Sequence, residues 1–163
     1  MLCSIGQSCA NCNNLTINGL LQNYIGRAED EGITCTVNAA CGELSVHPVD
    51  LTVILGNALE NSVRAAAACS NKWLRVEIGV VGSSLAIQVA NSCEGVHFAK
   101  GMHGAQFLPA EAFISDRAGG GFGLRSIALA AEKYDGEVTF CYNAGENSFT
   151  ARILLNLIPV TGQ

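Results

Sequence analysis

A long apolar helix that carries a polar stripe most limits what this chain can fold into. Pro48 and Asp50 form a start signal, and the helix is expected to run from residue 50 to about residue 70. Its apolar positions recur at helical spacing, at Leu51, Ile54, Leu55, Ala58 and Leu59. Because such a helix must be covered by other elements, the chain has to build a layered core around it.

Four polar residues interrupt this helix: Asn57, Glu60, Asn61 and Arg64. At about 3.6 residues per turn they cluster on one side of it. Asparagine oxygen can ligate a hard cation, glutamate can orient a water or hydroxyl, and arginine can meet a phosphate. A solvent-facing stripe is the alternative interpretation, but two asparagines are poor helix formers and favour a functional one.

Helical and strand-like periods alternate along the rest of the chain. Helices are predicted over 15–31 and 124–134, and strands over 33–37, 73–81, 84–90, 137–142 and 148–157. Residues 1–14 have no clear period, and the weakly periodic stretch 91–118 is typical of a functional loop such as a lid. This order predicts an α/β (α+β) two-layer sandwich, with helices on one face of a mixed sheet.

Composition excludes several classes of protein. With 49% apolar and only 14% charged residues, the chain is predicted to be folded, and no secretory signal or membrane-spanning run is visible. The net charge of −5 argues against nucleic acid as a partner. The eight cysteines include a single CxxC pair, so buried thiols are favoured over structural zinc or a disulfide framework.

Two further segments carry possible chemistry. The run GGGFGL at 119–124 opens a helix, and its glycines would let backbone amides approach an anion. The run matches neither the dinucleotide fingerprint nor the P-loop. A flexible hinge is the alternative interpretation of such a glycine-rich run. Asn91 ends a strand, and its amide can donate to and accept from the edge of a planar ligand. An ordinary Asx turn is the alternative there.

Taken in order, these segments resemble the motifs of the GHKL ATPases, the superfamily of gyrase, heat-shock chaperone, histidine kinase and mismatch-repair ATP sites. Residues 55–64 look like the N-box, 91–95 occupy the place of the first glycine box, and 119–124 look like the later glycine box. Within the superfamily, the chain is most similar to agr-type receptor kinases of peptide quorum sensing. The resemblance spans about residues 15–159 and implies a Bergerat-type ATP-binding fold.

The resemblance implies a role for each polar residue of the N-box. Asn61 would coordinate the magnesium ion that bridges the ATP phosphates, with Asn57 beside them. Arg64 stands where many histidine kinases place a basic residue near phosphate, whereas agr-type boxes often have glutamate. Glu60 would polarise the attacking group or orient water.

The two glycine boxes match the family less closely. Asn91 would replace the adenine-reading aspartate, as expected of the agr type, and the first box keeps only its last glycine. The Thr/Ser-Lys pair often found before the later box is absent. The positions implied to close over the phosphates are Gly119, Gly121, Gly123 and Leu124.

A histidine kinase transfers the γ-phosphoryl group of ATP to a histidine on a dimerisation helix. His47, His97 and His103 all follow the first helix and are interpreted as surface residues, so the acceptor is expected outside this chain. The resemblance makes residues 1–31 the tail of a dimerisation helix with a ragged start, and 32–163 the catalytic domain.

The implied context is a cytoplasmic domain of a membrane-bound sensor, homodimeric in the full-length protein. Its partners would be the dimerisation and phosphoacceptor domain of the same kinase and a downstream response regulator. Two alternatives stay open: a GHKL serine kinase of the anti-sigma type, and a degenerate nucleotide-binding or dimerising scaffold without catalysis.

Overall fold

The computed structural model describes residues 9–94, 106–113 and 122–157. In these residues the chain forms six strands, three α-helices and one short 3-10 helix. In chain order they are β1 (Cys9–Cys12), α1 (Leu15–Asp30), β2 (Thr34–Cys41), α2 (Pro48–Ala67), β3 (Trp73–Val81), β4 (Ser84–Ser92), the 3-10 helix (Ala110–Phe113), α3 (Phe122–Glu132), β5 (Glu137–Asn143) and β6 (Ser148–Asn156).

The strands form one mixed sheet in the order β1-β2-β3-β4-β6-β5. The pairs β1–β2 and β2–β3 are parallel, whereas β3–β4, β4–β6 and β6–β5 are antiparallel pairs. A two-residue turn with Gly82 at a φ of 61° joins β3 to β4, as a tight hairpin requires. None of the helices in the described ranges is long and apolar enough to cross a membrane.

Among the described residues, helices cover one face of the sheet. In β2 the buried side chains of Cys35, Val37 and Ala39 alternate with exposed Thr34 and Thr36, because successive side chains of a strand point to opposite faces. The apolar stripe of α2 packs against the buried face, and several of its residues are fully buried: Leu51, Ile54, Leu55 and Leu59. The predicted two-layer sandwich is confirmed.

The N-terminal segment differs from the sequence prediction. Part of the stretch that lacked a clear period forms β1, which pairs in parallel with β2. α1, capped by the side chain of Asn14, is the crossover between these strands, as parallel pairing requires. β1 and α1 therefore share the sheet and the core with the rest of the described chain.

Six cysteines have described side chains, and they divide into two groups. Cys35, Cys69, Cys93 and Cys141 are free and buried, which confirms the prediction of buried thiols. Burial raises the pKa of Cys35 and of Cys93 to about 11, so both stay protonated at neutral pH. A disulfide that the sequence did not predict links Cys12 to Cys41, which face each other in neighbouring strands.

Candidate functional site

The polar stripe lies on α2, the central helix of the layer. His47 caps this helix, its Nδ1 accepting a hydrogen bond of 3.2 Å from the amide of Val49, and Pro48 takes the first helical position. Asn57, Glu60 and Asn61 are partly buried, whereas Arg64 is exposed. The residues of the stripe face two different helices: the asparagines contact α3, and Glu60 contacts α1.

Gly123, in the first turn of α3, lies directly against both asparagines. A Cβ atom on this residue would lie 3.0 Å from Nδ2 of Asn61 and 3.4 Å from Oδ1 of Asn57. The Nδ2 atom of Asn57 donates a 2.6 Å hydrogen bond to the Val53 carbonyl, which leaves its Oδ1 atom on the side of Gly123. The fold thus brings the N-box asparagines together with the last glycine of the predicted phosphate loop.

Asn91 lies near the end of β4 with one hydrogen-bonding atom unused. It follows Leu85, Ile87 and Val89 on the buried face of the strand and is only 1% exposed. Its Nδ2 atom donates to the Ser92 carbonyl at 2.9 Å, whereas Oδ1 has no hydrogen-bond partner among the described residues. A buried unsatisfied acceptor costs about 1–3 kcal/mol, which marks this oxygen as a place for a ligand's donor.

Glu60 is held by two arginines. Arg27 Nη1 lies 3.0 Å from Glu60 Oε2, and Arg64 Nη2 lies 3.4 Å from Oε1. The hydrogen bond from Arg27 is the main cause that lowers the pKa of the Glu60 carboxyl, and Arg64 adds to it. Glu60 is therefore ionised at neutral pH and is a weak proton acceptor.

Sequence reasoning missed Arg27. It lies on α1, 33 residues before Glu60 in the chain. Its only local signal is that it follows Tyr24 by one helical turn, with its guanidinium 5.1 Å from the centre of that ring. Nothing in the α1 pattern indicates which side of α2 this arginine would face.

A second network missed by sequence reasoning fixes α2 against α3. Asp50 accepts a 2.8 Å hydrogen bond from Lys133 and a 2.6 Å hydrogen bond from the Tyr134 hydroxyl, which itself accepts from the His47 amide at 2.9 Å. The bond from Lys133, followed by that from Tyr134, lowers the pKa of the buried Asp50 carboxyl. This network sets how the two helices that carry the site pack together.

The other predicted residues fall into two groups. Leu124 is a buried core residue, and His47 is exposed as predicted. Gly119, Gly121, His97 and His103 lie outside the described residues. In the described part of the chain, no group of His, Cys, Asp and Glu residues could by itself hold a metal ion.

A separate groove of about 520 Å³ lies on the helix-free face of the sheet. Its lining includes Glu77, Gln88 and Arg152, and Arg152 also stacks 3.8 Å from the ring centre of Phe107. None of the predicted site residues lines this groove. The sheet therefore separates it from the asparagines of α2.

Comparison with known proteins identifies the class of protein. The family model of the GHKL domain matches residues 46–156, which include every predicted site residue. This segment covers more than half of the chain, and the chain therefore belongs to the GHKL domain family. Domains of this family bind ATP, generally with Mg²⁺. No curated protein sequence matches the chain significantly.

Several solved structures with the same fold come from histidine kinases. The catalytic domain of the histidine kinase ThkA superposes with a TM-score of 0.64 at 13% identity, over 87% of this chain and 90% of that one. The mycobacterial sensor histidine kinase MprB gives 0.63 at 15% identity, over 86% and 93%. Full-length ShkA in complex with AMPPNP gives 0.60 at 21% identity, over 85% of this chain and 29% of that one.

Proposed function

We propose that this chain is the ATP-binding catalytic domain of a bacterial two-component sensor histidine kinase of the agr type. It would transfer the γ-phosphoryl group of ATP to a histidine outside this chain. The contact of Asn57 and Asn61 with Gly123 carries the proposal, because it joins the N-box to the start of the helix that follows the phosphate loop. The histidine kinase fold of the similar structures supports it.

The donors at this contact suit a magnesium-bound triphosphate. Asn61 and Asn57 supply carboxamide oxygens, ligands that a hard cation such as Mg²⁺ accepts alongside phosphate oxygens and water. When bound, magnesium neutralises charge on the phosphates. Gly123 leaves room beside the asparagines, and Gly119, Gly121 and the backbone of Leu124 would contribute amides at the start of α3.

The buried acceptor on Asn91 suits adenine. The exocyclic amino group of adenine is a donor, and Oδ1 of Asn91 is an acceptor with no partner in the described chain. The Asn91 amide nitrogen already donates to the Ser92 carbonyl. The free Oδ1 atom would therefore select a base that presents a hydrogen-bond donor to Asn91. An asparagine can therefore accept the hydrogen bond from adenine that an aspartate usually accepts in this family.

Of the two roles considered for Glu60, orientation is the one its contacts favour. A carboxylate with a lowered pKa and two arginine partners is poorly suited to remove a proton. Phosphoryl transfer depends mainly on positioning and charge neutralisation, so a catalytic base on this domain is not required. The histidine nitrogen would attack the γ-phosphorus while the bond to the ADP oxygen breaks.

The proposed partners follow from this reaction. They are the dimerisation and phosphoacceptor domain of the same kinase, which makes the full-length protein a homodimer, and a downstream response regulator. Residues 1–31 would lead from the dimerisation helix into the catalytic domain, although α1 also packs on the sheet. The domain would act on the cytoplasmic side of a membrane-bound sensor.

A phosphorylation assay tests the proposal. The chain alone and a longer form that carries the acceptor histidine would each be incubated with γ-labelled ATP and Mg²⁺. Label that is stable to alkali and labile to acid, on the longer form only, is the expected result. Label on the isolated chain would overturn the placement of the acceptor. A small protein that carries acid-stable phosphate and is recovered in a pulldown with the chain would favour the serine kinase alternative. ATP binding without any transfer would favour the scaffold.

A further inference from the structure

We infer that Arg27 of α1 is a positioning residue of the nucleotide site. Its ion pair with Glu60 offsets the negative charge of Glu60 beside the phosphates and leaves Arg64 free to contact them. The inference rests on the proposed function. It assigns a role to a residue outside the segment that matches the family model.

The two arginines share Glu60 without competing for the same atom. Arg27 contacts Oε2 at 3.0 Å, and Arg64 contacts Oε1 at 3.4 Å. Arg27 is also placed over the Tyr24 ring, and 49% of its side chain is exposed, compared with 73% for Arg64. The Arg27 pair joins two packed helices, while the Arg64 pair spans one turn of a single helix.

Arg64 is the partner that can leave at low cost. Exposed ion pairs one helical turn apart contribute little to stability, because solvent screens them and side-chain entropy opposes them. A phosphate can pair with the planar guanidinium of arginine through two parallel hydrogen bonds, and its charge strengthens them. Arg64 can therefore exchange its contact with Glu60 for one with the nucleotide.

Such an exchange is favourable only if Glu60 keeps another cation. Glu60 follows Asn57 by one helical turn, so its carboxylate lies near the site proposed for the phosphates. An uncompensated carboxylate there would repel ATP, and would repel it more than ADP, which carries less charge. Arg27 supplies the compensation and makes α1 part of the nucleotide site.

Calorimetric titrations of ATP and ADP with Mg²⁺ test the inference on four proteins: wild type, Arg27→Gln, Arg27→Lys and Arg75→Gln. Arg75 lies on the helix-free face of the sheet, so its substitution changes net charge equally without touching α2. We expect Arg27→Gln to weaken ATP binding roughly three- to tenfold, the effect of one partly screened charge, and to weaken ADP binding less. Arg27→Lys and Arg75→Gln should stay near wild type.

A second-site change separates a charge effect from a structural one. In the Arg27→Gln background, Glu60→Gln removes the repelling carboxylate and should restore most of the lost ATP affinity. The loss of ATP affinity in Arg27→Gln should also be smaller at high salt, because salt screens the repulsion. Thermal unfolding without nucleotide checks that each variant is folded.

Each outcome decides a different claim. If wild type binds nucleotide and Arg27→Gln binds ATP equally well, the inference is wrong and the proposed function stands. If Arg27→Gln weakens ATP and ADP equally and Glu60→Gln does not restore binding, Arg27 is only structural and the inference is again wrong. If wild type itself binds neither nucleotide, the proposed function fails first.

Discussion

Gly123 on α3 faces Asn61 on α2 so closely that a Cβ atom on the glycine would lie 3.0 Å from Nδ2 of the asparagine. This is tighter than an ordinary van der Waals contact, and the atoms it meets belong to side chains that we propose bind magnesium and phosphate. The glycine therefore keeps the space between the two helices open. Its role is tied to the site, because the three atoms nearest to that Cβ position all belong to Asn57 and Asn61.

We predict that Gly123→Ala weakens ATP binding by roughly tenfold or more, since displacing a metal ligand loses a charge-assisted interaction. Stability should change by less than about 1 kcal/mol, because alanine favours helix formation and only side chains must shift. Titration calorimetry and denaturant unfolding measure the two effects. Gly26→Ala, at a helical glycine with open space around it, is the matched control. Unchanged ATP affinity in Gly123→Ala would contradict the proposed geometry.

The unpaired oxygen of Asn91 leads to a prediction about base selection. Asn91→Ala should weaken ATP binding roughly 10- to 100-fold, as expected for the loss of one buried hydrogen bond worth about 1–3 kcal/mol. GTP binding should change much less, because guanine has no amino donor at the same edge position. Competition of both nucleotides against a fluorescent ATP analogue measures the preference. Gln88→Ala, on the opposite face of the same strand, should leave it unaltered.

The Asp50 network predicts a pH-dependent part of the stability. Because contacts with Lys133 and Tyr134 lower the pKa of Asp50, its contribution is present above the unfolded value of about 3.9. It is lost as the pH falls through the lower folded value. We expect Asp50→Asn to reduce the free energy of unfolding by about 1–3 kcal/mol at pH 7, and the difference from wild type to shrink near pH 3. Urea unfolding at both pH values measures it, and an equal difference at both would refute the prediction.

Gly136 is required by the turn between α3 and β5. A Cβ atom there would lie 2.6 Å from the Leu154 carbonyl oxygen and 2.8 Å from that of Ala131, so backbone would have to move. We predict that Gly136→Ala costs about 1–3 kcal/mol of stability, a range typical of overpacked sites. Thermal unfolding should show a lower midpoint for Gly136→Ala. Gly42→Ala, which meets no atom within 4 Å, should show almost none of this loss.

The sequence predicted those parts of the molecule that depend on local patterns. Alternation located the hairpin of β3 and β4, and helical spacing placed Asn57 and Asn61 on one face of α2. The sequence analysis missed β1, because this strand has only four residues and its pairing partner, β2, lies on the other side of α1 in the chain. It missed the pairs Arg27–Glu60 and Tyr134–Asp50 as well, since these residues lie 33 and 84 positions apart and meet only after the helices pack.

The central claim is that the asparagines of α2 bind a magnesium-bound nucleotide. The most direct measurement is a calorimetric titration of ATP, with and without Mg²⁺, into wild type, Asn61→Ala and Asn38→Ala, the last on the helix-free face of the sheet. We predict that wild type and Asn38→Ala bind ATP more tightly with Mg²⁺ and that Asn61→Ala loses this magnesium dependence. Absence of ATP binding to wild type, or full magnesium dependence in Asn61→Ala, would contradict the claim.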